Sequence, residues 1–367
     1  FPLVYKSPAG SREIYESILY EDFEASSGWS FTGEFERAQA QDPPLGGTIG
    51  NPDPDRAYQG NYMIGTDITG QGSTEGDYED NLSNRAYKAT SPMLDAFYYQ
   101  DMNLYFYRWL NVDGLDSAYI DVSQDNGQTW ENMWQNTGTI VMDQWEKMGL
   151  ELKDYINRTD SVRLRFSIGG TDDSWTFSGW NIDNLVLTGD YISQDVRVTG
   201  WIFPINGCGH TDEENVQVQL TNFGGDPTTD TIPLSYSFDG GSTVVKDTLY
   251  QSIPVGGTTT YTFENPINLS QPGWYRHVYA QTDLEKDEDN SNDRFNHEIF
   301  VSPTYTPPHY EDFEENYGYW LKNQENSTLE HGEPSGTIVD TAASGTKVWM
   351  THLDGVYPIN DSSYMES

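Results

Sequence analysis

The pentapeptide YEDFE stands at residues 20–24 and again at 310–314, and the echo runs on. DFEASSGWS (22–30) returns as DFEENYGYW (312–320), PPLGGTI (43–49) as EPSGTIV (333–339), and RAYQGNYMIGTDITG (56–70) as TAASGTKVWMTHLDG (341–355). The chain therefore reads as one module, a different module, and a restart of the first. The second copy reaches Ser367 where the first reaches Ser91-Pro92 and still has the stretch to about residue 190 to run. A half sandwich cannot close its core, so the expectation is a piece of a longer repetitive protein, or a partner that completes the sheet.

Each module reads as strand. NLYFYRWL (103–110), AYIDVS (118–123), VRLRFSI (162–168), VQVQLTNF (216–223) and TTTYTFEN (258–265) alternate apolar and polar residues between Gly, Asn, Asp and Pro. That period of two with frequent turn signals predicts antiparallel sandwiches. DQWEKMGLELKDYI (143–156) has helical propensity, but Gly149 and its strand neighbours predict a strand followed by a short turn. The fold class is all-β, with tandem β-sandwiches.

Composition agrees and excludes some functions. Of 367 residues, 14% are aromatic and 35% hydrophobic, a balance that suits pleated surfaces. Asp and Glu number 58 against 19 Lys and Arg, a formal charge of -39 that repels nucleic acid and anionic lipid and attracts cations. No apolar run approaches the ~18 residues of a membrane-spanning helix. The chain opens at Phe1 without a charged segment and apolar run behind it, so any signal peptide is expected to be removed or upstream. One cysteine, Cys208, rules out an internal disulfide framework.

Four segments follow from shifts in composition. Residues 1–13 read as a linker or the end of an upstream module, and the Trp- and Tyr-rich stretch 14–190 as a jelly roll. The Val-, Thr- and Gly-rich stretch 191–302 reads as an immunoglobulin-like sandwich. Residues 303–367 are a Pro-rich linker, SPTYTPPHY (302–310), and the opening of a second jelly roll.

The first module resembles the MAM-like and cleaved-adhesin-like jelly rolls of secreted bacterial adhesins and peptidases. The residues that carry the likeness are DFE and SGW (22–29), GNPDPDRAYQGNYMIGTDITG (50–70), GDYEDN (76–81), RWLNVDGLDSAYIDVSQDNGQTW (108–130) and DDSWTFSGWNIDNLVL (172–187). The second module is similar to CARDB-type sandwiches through VQVQLTNFGG (216–225) and DNSNDRF (289–295). The resemblance implies a cell-surface protein of the type IX-exported kind, extracellular or on the bacterial surface. Its partners would be further copies or modules of the same protein, and cell-surface carbohydrate or protein ligands.

Catalytic chemistry finds little support. SQDNGQTW (123–130) fits the Asp-box of sialidases and SFDGGSTV (237–244) is a degenerate copy, but Asp125 and Asp239 are expected to cap tight turns, with Gly127 and Gly241 supplying positive φ. The six histidines are scattered and no HExxH occurs. Cys208 beside His210 suggests a thiol nucleophile, although a loop with a partly buried cysteine is the expected reading. No nucleotide-binding or GxSxG motif is present.

Metal binding has more support. In EDFE an extended backbone would put Asp22 and Glu24 on one face and Phe23 in the core, and the closing strand of such a jelly roll carries Asp183. Three carboxylates meeting at one end of a sandwich repel unless a cation bridges them, and Ca2+ accepts such oxygen ligands. The resemblance implies a structural cation near these positions, with Asp312 and Glu314 repeating the role. In DLEKDEDNSND (283–293), Asp287, Asp289 and Asn290 have ligand chemistry but lack the Gly and distal Glu of an EF-hand, so a solvated loop is expected. Trp130, Trp134, Trp145, Trp175 and Trp180 are candidate sugar-stacking residues as well as core residues. The function expected is a non-catalytic adhesin or fibre segment; the alternative is the substrate- or carbohydrate-binding tail of a secreted metallopeptidase.

Overall fold

The structure, a computed structural model, describes residues 17–26, 28–322, 327–357 and 359–366, so the expected 1–13 segment lies outside the described residues. The described residues form strands and no helix. The chain divides between Ser193 and Gln194 into two compact units.

The first unit holds β1 (Ser17–Glu21), β2 (Ser30–Thr32), β3 (Phe35–Gln39), β4 (Tyr62–Thr66), β5 (Tyr87–Thr90) and β6 (Tyr99–Val112). It continues with β7 (Ser117–Ser123), β8 (Glu131–Gln135), β9 (Ile140–Val141), β10 (Glu146–Glu151), β11 (Arg163–Gly169) and β12 (Gly179–Tyr191). One sheet runs β10-β6-β12-β4-β3, with β1 also on β12 and β9 on β6; the other runs β2-β5-β11-β7-β8. The strand at 143–156 is β10, followed by a turn at Leu152–Ile156, as the glycine-broken propensity predicts.

Alternation decides which side chains meet. On β6, Leu104, Phe106 and Leu110 are buried, while Tyr105, Tyr107 and Trp109 stand half-buried on the outer face. Phe106 meets Phe166 of β11 edge-on at 5.1 Å, and Phe166 meets Trp180 of β12 at 5.8 Å. Each fully buried ring of this kind contributes on the order of 2–3 kcal/mol by area alone. Arg108 breaks the pattern from an inward position, its guanidinium 5.4 Å from the Trp134 ring. On β7 the outward Asp121 is also buried, because Arg85 and Arg165 each reach it at 2.8 Å.

The second unit holds β13 (Val196–Phe203), β14 (Gly207–Cys208), β15 (Gln217–Asn222), β16 (Ile232–Ser237), β17 (Val245–Leu249) and β18 (Thr258–Thr262). Then come β19 (Gly273–Thr282), β20 (Arg294–Ser302), β21 (Leu321–Lys322), β22 (Leu329–Gly332), β23 (Val348–Thr351) and β24 (Met365–Glu366). Sheets β13-β15-β18 and β14-β20-β19-β16-β17 enclose Val198, Val218, Leu220, Leu234 and Tyr236, the last anchored by its hydroxyl to the Asn265 carbonyl at 2.8 Å. Cys208 is exposed on β14, which corrects the expectation of a partly buried thiol: a two-residue edge strand has no second sheet over it.

The restart at YEDFE repeats bonds as well as letters. Phe23 takes a φ of 55° and its N–H donates to Glu21 Oε1 at 2.9 Å; Phe313 takes 62° and donates to Glu311 Oε1 at 2.8 Å. Glu24 N–H donates to Asp22 Oδ1, and Glu314 N–H to Asp312 Oδ1, both at 3.1 Å. Arg37 of β3 donates to the Phe23 carbonyl, and His331 of β22 bonds the Phe313 carbonyl at 2.8 Å. The pair β3–β4 thus has its counterpart in β22–β23.

Candidate functional site

The expected strand at EDFE is interrupted. β1 ends at Glu21, and the positive φ at Phe23 turns the chain while leaving its ring fully buried. Asp22 and Glu24 therefore do not share a strand face. Asp22 spends its carboxylate on the Glu24 N–H, whereas Glu24 Oε1 accepts the N–H groups of Asn61 and Tyr62 at 2.7 and 2.8 Å. Gly60 allows this approach: its φ is 71°, and a Cβ there would lie 2.3 Å from Glu24 Oε1.

Asp183 of β12 binds the same loop. Its Oδ2 accepts the Gln59 N–H at 2.9 Å and its Oδ1 the Asn184 N–H at 2.7 Å. Burial pushes the Asp183 carboxyl up to about 7, against these amide bonds and with the charge of Glu24 adding to the rise. Asn184 Oδ1 is buried beside it without a hydrogen-bond partner. Two of the three expected cation ligands, Glu24 and Asp183, thus bond neighbouring amides of one loop. Among the described residues no three His, Cys, Asp or Glu side chains are grouped to hold a metal ion.

Just upstream of the held residues, Asn51, Pro52, Asp53, Asp55 and Arg56 wall a cleft of about 510 Å³ on the outer face of the β6 sheet. Tyr58 stacks on Tyr107 of β6 with ring centres 3.5 Å apart, and Trp109 and Trp145 stand edge to face at 6.2 Å. Both indoles are fixed by their own N–H groups, Trp109 to the Pro52 carbonyl at 3.0 Å and Trp145 to the Arg56 carbonyl at 3.2 Å. Both indoles line the cleft, and Trp145 also packs against Ala38, Ala57, Met63 and Ile68. Asn51, Asp55, Arg56, Asp143 and Gln144 supply polar groups around the rings.

Asp53 lines this cleft while being only 4% exposed. Asn181 Nδ2 donates to its Oδ1 at 2.6 Å, and its Oδ2 has no partner. Burial pushes its pKa well above the usual carboxylate range; the Asn181 bond opposes this, and the charges of Asp77, Asp67 and Glu36 add to it. Asp67 and Asp77 are themselves fully buried and collect backbone N–H groups, Asp67 from Gly76 at 2.8 Å and Asp77 from Gly47 at 2.8 Å.

The remaining candidates separate. Asp125 accepts the Thr129 N–H at 2.8 Å and the Ser123 hydroxyl at 2.7 Å, and Asp239 accepts the Thr243 N–H and the Ser237 hydroxyl at 2.8 Å each. These bonds hold both carboxyls down at about 2, and Gly127 and Gly241 take φ of 91° and 98°. Glu314 accepts the N–H groups of Thr346 and Lys347, as Glu24 does those of Asn61 and Tyr62. The acidic loop at 283–293 is not simply solvated, which corrects that expectation: Asp287 is buried, accepting the N–H groups of Val196 at 2.8 Å and Asp289 at 3.0 Å, and Asn290 donates to its carbonyl. His210 bonds the Ile205 carbonyl at 2.9 Å and lies 3.8 Å from Glu214.

Of the five tryptophans singled out by the sequence, Trp145 lines the cleft and Trp180 is core, its Nε1 on the Ser167 carbonyl. Trp130 lies under the Arg165 guanidinium and Trp134 near Arg108. Trp175 is 58% exposed in a second cleft with Leu115 and Thr139. Tyr58, Tyr107, Trp109 and Asp53 were not reached from the sequence. The outward positions of β6 were the available signal, since 105, 107 and 109 are all aromatic in a strand whose inward positions 104, 106 and 110 are apolar.

No protein-family model matches the chain, and no curated protein matches it. Among solved structures, it is similar to the CBM22-1 xylan-binding domain of Xyn10C from Paenibacillus barcinonensis, at 14% identity over 48% of this chain and 95% of that one, with a TM-score of 0.30. It is also similar to the K1 cleaved adhesin domain of Lys-gingipain from Porphyromonas gingivalis W83, at 12% identity over 47% and 98%, with a TM-score of 0.31. Glycoside hydrolases occur as well, among them the β-glucuronidase 2 of Bacteroides uniformis, at 12% identity over 58% and 26%, with a TM-score of 0.23. At these identities and scores the function has to be argued from the residues.

Proposed function

We propose that this chain is a non-catalytic, extracellular adhesin-type segment of a bacterial surface protein, and that its first module binds carbohydrate in the Trp109–Trp145 cleft. The observation that carries the reading is the pair of indoles lining one cleft, each locked by its N–H to a backbone carbonyl, among polar side chains able to bond hydroxyls. Sugars present CH faces that stack on such rings and hydroxyls that bond to Asp, Asn, Gln and Arg, and rings held in advance lose little entropy on binding. In the same reading the second module is a CARDB-type, immunoglobulin-like spacer, the chain leaves the cell by the type IX route, and further copies of the modules are its neighbours.

A structural Ca2+ belongs to this proposal. Asp183 and Glu24 would hold it with Asn184 Oδ1, and Asp312 and Glu314 stand in the repeated positions. Their fit rests on the burial of Asp183 close to a second carboxylate and on the partnerless amide oxygen. The ion would supply positive charge where two acids clasp one loop. Asp22 is taken up by its turn.

Calorimetric titration with a panel of neutral, acidic and amino oligosaccharides tests the function. Binding of at least one class is expected, lost in Trp109→Ala and Trp145→Ala and retained in Trp175→Ala. Absence of binding across the panel, or binding indifferent to Trp109 and Trp145, refutes it.

A further inference from the structure

The aromatic cleft of the first unit is pinned at both ends. Residues 51–56 line it on one side and residues 143–145, in the turn from β9 into β10, on the other. At one end Asn51 Nδ2 donates to the Met142 carbonyl at 3.1 Å, and at the other Trp145 Nε1 donates to the Arg56 carbonyl at 3.2 Å. Trp109 of β6 holds the Pro52 carbonyl at 3.0 Å, so the same segment is also tied to the sheet. A space bounded by two segments that are joined at each end is a blind recess, not a groove that continues along the sheet. Its width is set before anything binds, which spares a ligand the cost of ordering the walls.

The rings have the geometry of a corner. Trp109 and Trp145 stand 6.2 Å apart at 69°, edge against face. A sugar held between two parallel rings needs a van der Waals contact on each side, about 7–8 Å from plane to plane, so these indoles cannot sandwich one. Trp145 spends further surface on Tyr58, at 6.3 Å and 71°, and on the cluster of Ala38, Ala57, Met63 and Ile68. Among the described residues no third aromatic lines the cleft, so no second platform is in line for a neighbouring sugar. Asp143 and Gln144 lie exposed at the rim, and among the described residues their side chains make no hydrogen bond. A carboxylate and an amide, adjacent in sequence, are thus left for hydroxyl groups.

Resting on the carbohydrate reading above, we infer that the cleft engages one pyranose residue at a time, so that its ligand is a monosaccharide or the terminal residue of a glycan and not an extended stretch of polysaccharide. One CH face of the sugar lies on an indole, its edge meets the other indole, and its hydroxyls reach Asp143 and Gln144. Residues further along a chain project out of the recess and add no contact. Affinity is therefore independent of chain length.

The test is calorimetric titration of the full chain with xylose, glucose, mannose, galacturonic acid and glucosamine, each as the methyl glycoside and as the linear hexamer. For every sugar that binds, the dissociation constants of glycoside and hexamer are expected to agree within about threefold, a difference smaller than one hydrogen bond contributes. Asp143→Ala and Gln144→Ala change exposed side chains and leave the fold intact, and each should weaken glycoside binding by about threefold or more. A hexamer that binds at least tenfold more tightly than its glycoside overturns the inference, since the cleft would then span several residues, and leaves the carbohydrate reading standing. Glycoside binding unchanged in both Asp143→Ala and Gln144→Ala also overturns it, because the sugar would then lie elsewhere. Absence of binding by every glycoside and hexamer overturns it together with the carbohydrate reading.

Discussion

Asp183→Ala is the most direct test of the clasp. The wild-type carboxylate is fully buried and takes the Asn184 N–H at 2.7 Å and the Gln59 N–H at 2.9 Å. A hydrogen bond to a charged acceptor contributes about 1.5–3 kcal/mol. The Asn184 bond is buried, so its loss lies near the upper end; Gln59 is exposed and its N–H can return to water, so its loss lies near the lower end. Removing the charge relieves the burial and the repulsion from Glu24 that raise this carboxyl, so the net loss falls below that sum, to about 1–3 kcal/mol. For a unit of this size that lowers the melting temperature by about 2–12 °C. Asp183→Asn keeps the shape and one acceptor oxygen and should lose about half as much. Thermal melts followed by circular dichroism, with and without calcium, read the outcome. Calcium should raise the wild-type melting temperature by several degrees, since an ion bound only to the folded form stabilises by mass action, and should do nothing for Asp183→Asn. An Asp183→Ala protein that melts within 2 °C of wild type would show that the loop does not depend on this carboxylate.

Three further outcomes can be checked separately. Asp125 and Asp239 are held at about 2, below the ordinary 3.8, so they favour the folded form where they are ionised: their contribution is complete above about pH 4 and lost as pH falls through 2, and Asp125→Asn with Asp239→Asn should flatten the melting temperature over that interval. Arg108→Met should leave stability unchanged or raise it, because Nε and Nη1 of Arg108 are buried without partners and burial lowers its pKa; a drop of more than 5 °C would mean that the Trp134 contact outweighs that penalty. Neither chromogenic glycosides nor casein should be hydrolysed, since among the described residues Cys208 lies exposed on an edge strand and His210 is engaged with Ile205 and Glu214; turnover that disappears in Cys208→Ala would contradict this.

Strands were legible because their period of two is local: burial at 104, 106 and 110 follows from the letters of NLYFYRWL alone. The turn acids Asp125 and Asp239 were legible for the same reason, their donors lying four residues away. The cleft was not, because it joins Pro52 to Trp109 and Arg56 to Trp145 across 57 and 89 residues, and no spacing rule connects positions that only sheet register brings together. EDFE shows the intermediate case. Its acids were recognised as a group, but a left-handed Phe23 cannot be read from a sequence in which Phe ordinarily favours strand, so Asp22 was assigned to the wrong side of the turn. Asp287 reads as a loop acid from its neighbours alone, because its donor, the Val196 amide, lies 91 residues upstream.

The clasp also dictates an order of events. Glu24 and Tyr62 are 38 residues apart, Glu314 and Thr346 only 32, whereas Asp183 reaches Gln59 across 124. Closing the longer loop costs about 1 kcal/mol more in chain entropy. As the polypeptide leaves the ribosome, the glutamate half of the clasp can therefore close early, and the aspartate half must wait for the last long strand. Until then the loop that carries Tyr58 is held by one of its two carboxylates, so the aromatic cleft is the last part of its module to mature. A chain stalled before residue 183 would present its YEDFE turn but no finished cleft.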